Sequence, residues 1–139
     1  QHVLEPLSGY LLLASNLVNS SEYHGQAYNF GPSSSQNYSV GDLIRKMSKY
    51  WAQVKWQDAS EENSAVYEAG LLKLNCDKVL FDLNWVPSLQ FEETVKMTVE
   101  WYKAYYEKFD SSMYDFSVRQ ITEYIDFSKS RNIKWSTHD

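Results

Sequence analysis

The stretch Val66-Tyr67-Glu68-Ala69-Gly70-Leu71-Leu72-Lys73-Leu74-Asn75-Cys76-Asp77-Lys78-Val79-Leu80-Phe81-Asp82-Leu83-Asn84-Trp85 decides how this chain is read. Leu71 to Leu74 is an apolar run short enough for a buried strand. Asn75 or Asp77 can then accept a hydrogen bond from a free helix amide, and Val79, Leu80 and Leu83 recur at helical spacing. Asn84 suits a left-handed C-cap, and Pro87 forbids continuation. The unit is loop, strand, helix, and it presents Tyr67-Glu68-Ala69-Gly70 at one end of a small sheet. Loops held that way on a rigid scaffold carry binding residues. Glu68, directly ahead of an apolar strand, must project toward solvent or a ligand.

Working outward, Val3 to Val18 predicts a helix that is apolar around much of its girth and needs cover on more than one side. Ala27-Tyr28-Asn29-Phe30 predicts a short strand ended by Gly31-Pro32. Ser39-Val40-Gly41-Asp42 has the form of a capping box, and Val40, Leu43, Ile44, Met47 and Trp51 follow on one helical face. Val54-Lys55-Trp56-Gln57 alternates as a strand would. A long helix is expected from about residue 90 to 109, and Ser117-Val118-Arg119-Gln120 reads as a second capping box opening the last helix. The order is mixed α/β, helix-rich, with few short strands. A complete doubly wound sheet would need more of them, so the pattern fits a lobe of something larger.

The 139 residues suffice for one core, and the composition, 43% hydrophobic and 22% charged, is ordinary for a globular chain. The net charge of −5, with no lysine or arginine run, argues against nucleic acid as a partner. No apolar run approaches the roughly twenty residues of a membrane span. The single cysteine excludes an internal disulfide and fits a reducing, cytoplasmic setting.

Self-contained catalysis has little sequence support. The glycines stand at 9, 25, 31, 41 and 70, so no G-x-G-x-x-G exists to cradle a dinucleotide. No tyrosine is followed by lysine four residues later. His2, His24 and His138 have no zinc-like spacing to Cys76. Cys76 reads as a small core residue, Glu92-Glu93 as first-turn acids suited to the helix dipole, and Asp58, Glu61 and Glu62 as a solvated loop. Trp101, Tyr102, Tyr105 and Tyr106 read as core before a stacking platform.

The order of motifs resembles the CDP-glucose dehydratases of the extended short-chain dehydrogenase family. The residues that carry the resemblance are Gln1-His2-Val3-Leu4-Glu5-Pro6-Leu7-Ser8-Gly9-Tyr10, Tyr28-Asn29-Phe30-Gly31-Pro32 and Glu68-Ala69-Gly70-Leu71-Leu72-Lys73-Leu74. Leu83-Asn84-Trp85-Val86-Pro87, Thr98-Val99-Glu100-Trp101-Tyr102 and Gln120-Ile121-Thr122-Glu123-Tyr124 continue it. The resemblance implies a C-terminal, nucleotide-sugar-binding lobe over about residues 1–125, with a tail at 126–139 of unassigned role. The family holds NAD on an N-terminal Rossmann lobe, oxidises the sugar at C4, eliminates water across C5 and C6, and returns the hydride to C6. This chain is then expected to be inactive alone, without catalytic or cofactor-binding residues of its own. Tyr67 and Glu68 are the first candidates for contact with the CDP-sugar, and His2 and Gln1 the second. Lys73 and Lys78 are the nearest cations for its diphosphate. A homo-oligomer stays open. The alternatives are the equivalent portion of an enzyme using UDP, GDP or dTDP sugars, and a non-enzymatic helical interaction module.

Overall fold

The computed structural model describes residues 1–57, 73–108 and 112–137. Among these residues the fold is helical: α1 (Leu4–Asn19), α2 (Val40–Tyr50), α3 (Asp77–Leu83), α4 (Phe91–Glu107) and α5 (Met113–Ser130), with 3₁₀ turns at Ser21–Tyr23 and Lys134–Ser136. The expected α/β class is corrected accordingly, since no strand forms among the described residues. The strand expected at residues 27–30 does not form, since a strand needs a partner's ladder. Here side chains meet the backbone instead. The Gln1 amide donates to the Phe30 carbonyl at 3.0 Å, and Lys78 Nζ donates to that of Ala27 at 3.3 Å. Residues 54–57 likewise form no strand. Of the run 71–74, Leu71 and Leu72 lie outside the described residues, and Lys73 and Leu74 are not in a strand.

The helices form where local signals put them. Ser39 Oγ accepts from Asp42 N–H at 3.1 Å while Asp42 Oδ2 accepts from Ser39 N–H at 3.0 Å, the capping box expected for α2. Asn84 ends α3 at φ 53°, in the left-handed region. The last helix is a correction: Ser112, not Ser117, caps it, its hydroxyl accepting from Asp115 N–H. Ser117 lies inside α5, donating to the Met113 carbonyl and accepting from Trp101 Nε1–H.

Packing starts from α4. It is buried on two sides, one carrying Val95 and Val99 and the other Met97 and Ala104. The helix packs along α2, where Lys46 and Tyr50 both reach Glu92 and Trp51 Nε1–H donates to Glu107. One core gathers Phe30, Val79, Leu83 and Trp85, and the other Leu89, Met97 and Tyr124. Trp135 packs against both, so residues 126–137 continue α5 and close over the core. Tyr102, Tyr105 and Tyr106 are exposed, and stack with one another and with Trp101 at the surface. The expectation that they are core is thereby overturned.

Helix α1 leaves a whole apolar stripe uncovered. Val3, Leu7, Tyr10, Leu11 and Val18 recur at helical spacing and are all exposed, Leu11 at 73% and Val18 at 86%. Its other side meets the core through Leu12 and Leu13. The unmet need for cover read from the sequence persists in the fold.

Candidate functional site

Gln1 and His2 lie at the start of α1, where they line a cleft of about 370 Å³. The opposite walls are Trp101 and Tyr102 of α4 and Gln120 and Ile121 of α5. His2 is buried, and burial lowers its imidazole below the ordinary value, favouring the neutral ring. Its Nδ1 accepts from Leu4 N–H at 3.3 Å. The Gln120 side-chain amide donates to the Met97 carbonyl at 2.7 Å. The cleft therefore joins an apolar, aromatic lining to a few tethered polar groups, the usual make-up of a small-molecule site.

Beneath the cleft runs a buried polar network that sequence reading did not single out. Both oxygens of the Glu5 carboxylate are engaged: Oε1 accepts from Ser88 N–H at 3.0 Å and Leu89 N–H at 2.6 Å, and Oε2 accepts from Tyr124 O–H at 3.0 Å. The Ser8 hydroxyl is 3.0 Å from both Tyr124 Oη and Trp85 Nε1. Ser128 Oγ donates to Ser88 Oγ at 2.7 Å, and Arg131 joins the Ser88 carbonyl to Glu93. Burial pushes the Glu5 carboxyl up, against the lowering effect of its hydrogen bonds, and pushes the Tyr124 phenol up as well. Little in the sequence signals it: Glu5 sits beside Ser8 and Gly9, on the side of α1 away from exposed Val3 and Leu7, and only its burial shows that it needs donors.

A second groove, of about 590 Å³, lies between Ser33–Gln36 and Lys73–Asp77. Lys73 Nζ donates to the Ser34 carbonyl there at 2.7 Å. Lys78 is committed elsewhere, to Gln26 and over the Tyr28 ring. Tyr67 and Glu68, the first candidates, lie outside the described residues, as do Asp58, Glu61 and Glu62. Gln1 and His2 share one cleft; the two lysines do not join them. Among the described residues no group of three His, Cys, Asp or Glu side chains could hold a metal ion. No described helix is long and apolar enough to cross a membrane. Of the described glycines, Gly9 and Gly41 lie within helices and Gly25 and Gly31 in connections. None belongs to a G-x-G-x-x-G turn.

No family model matches the chain. It is 35% identical over 126 residues, 90% of its length, to the CDP-glucose 4,6-dehydratase of Salmonella typhimurium. The chain spans about a third (34%) of the length of that enzyme and is a partial homologue of it.

Proposed function

We propose that this chain is the substrate-binding portion of a sugar-nucleotide dehydratase that turns CDP-glucose into CDP-4-keto-6-deoxyglucose. The redox work, the NAD and the catalytic side chains belong to polypeptide outside these residues. The observation that carries the reading is the open apolar face of α1. Such a surface is built to be covered by more protein, and the chain matches only a third of its dehydratase relative. In this reading the Gln1–His2 cleft contributes one wall of the sugar-nucleotide site, Tyr67 and Glu68 contact the nucleotide, and a Rossmann lobe docks on α1.

The test has two arms. With CDP-glucose and NAD added to this chain alone, no 4-keto product should form, as followed by absorbance in alkali; enzyme-like turnover would refute the reading. Calorimetry with CDP, UDP, GDP and dTDP should show CDP bound tightest. Preference for another diphosphate would move the assignment to that class of sugar nucleotide. Strong self-association without nucleotide binding would favour a helical interaction module.

A further inference from the structure

We propose that Glu5 is a positioning residue, fixing both walls of the Gln1–His2 cleft through its buried carboxylate. The proposal rests on the reading of that cleft as part of a sugar-nucleotide site. On one wall, Glu5 N–H donates to the His2 carbonyl at 3.1 Å, so His2 follows wherever the Glu5 side chain anchors the first turn of α1. On the other, Tyr124 stands one helical turn beyond Gln120, and its hydroxyl ends on Glu5 Oε2. Ser88 and Leu89 N–H hold Oε1 immediately ahead of α4, whose residues Trp101 and Tyr102 complete the cleft. One carboxylate thus joins the three segments that enclose the space. Its donors are two backbone amides and a phenol, groups that fix direction as well as distance.

The experiment compares the 139-residue chain with Glu5→Gln and Tyr124→Phe, using the His2 imidazole resonances in NMR spectra as readout. His24, exposed and bonded to the Leu17 carbonyl, serves as the internal control. Positioning predicts that both variants displace the His2 resonances while those of His24 stay in place. Glu5→Asp, which keeps the charge on a shorter stem, should restore them in part. Unmoved His2 resonances in a folded variant would overturn the proposal, leaving Glu5 a source of stability alone. If Glu5→Gln fails to fold, Tyr124→Phe, which removes a single hydroxyl, decides the matter. Because the readout needs no ligand, it stands whether or not CDP binds. Absent CDP binding with a displaced His2 would count against the proposed function and leave the positioning role intact.

Discussion

Glu5 and Tyr124, 119 residues apart in sequence, meet in a buried hydrogen bond of 3.0 Å. Each is also tied to other segments, Glu5 to the backbone ahead of α4 and Tyr124 to Ser8, with the Trp135 ring stacked on the phenol. The carboxylate is stabilised by neutral donors, so its burial costs nothing in desolvating a partner cation. The price is directional: removing any one donor or the acceptor leaves the others stranded in the interior.

Glu5→Ala should therefore be among the costliest single changes in the chain. It strands two backbone amides and a phenol, each unsatisfied group costing about 1–3 kcal/mol, and leaves a cavity besides. A loss of roughly 4 kcal/mol is expected, against about 1 kcal/mol for Tyr124→Phe. Urea denaturation followed by circular dichroism measures both. Equal, small losses would show that the network adds little to stability.

The same carboxylate gives the stability of the chain a pH signature. Burial raises Glu5 above its ordinary value of 4.5, so the folded chain holds the proton more readily than the unfolded one. Its contribution is then greatest below that ordinary value and is lost as pH rises through the raised one. Glu92 runs the other way. Hydrogen bonds from Lys46 and then Tyr50 hold it low, so its contribution is present above the ordinary value and lost as pH falls through the lowered one. Glu92 is intact in Glu5→Gln and cancels in the comparison. The stability of Glu5→Gln relative to the parent should thus improve as pH rises from about 4 to about 7. Denaturation midpoints across that range test it, and a pH-independent difference would contradict a raised Glu5.

Gly9→Ala should destabilise the fold by about 1–3 kcal/mol through overpacking. Gly9 is buried in α1, and a Cβ there would run into the Phe30 ring. Phe30 cannot swing aside, because it is wedged edge-on between Tyr10 and Trp85 at centroid distances of 5.3 and 5.1 Å. Helix propensity alone would make alanine the better residue. A variant as stable as the parent would show that the Phe30 pocket gives way.

These residues also show what could be read without a structure. The helices were legible because their signals are local: the Ser39–Asp42 box, Asn84 at the end of α3, and apolar repeats on α2 and α4. The start of α5 was misjudged because Ser112-Met113-Tyr114-Asp115 offers a cap as good as Ser117 does, and the earlier one nucleates the helix. The strand expected at 27–30 does not form, because whether such a run pairs depends on a neighbour that no local pattern encodes. Of the candidate site, Gln1 and His2 were named from the resemblance, and the fold places both in one cleft. The Glu5 network was missed because its partners lie 83 to 119 residues away.

The exposed face of α1 makes the last prediction, and it separates docking from folding. Leu7 and Leu11 are 45% and 73% exposed on that face, so replacing both with lysine removes little buried area. Each change should alter stability by no more than about 0.5 kcal/mol. If the face exists to be covered, the isolated chain will associate through it at high concentration, and two added charges will oppose that association. Sedimentation velocity should therefore show the Leu7→Lys, Leu11→Lys variant shifted toward monomer, with its unfolding midpoint unchanged. If the proposed function holds, the same pair in an assembled dehydratase should weaken docking of the redox lobe and lower activity, although neither residue lies in the cleft. Should the double variant associate as the parent does, α1 is not the surface that seeks a partner, and the observation behind the proposed function fails with it.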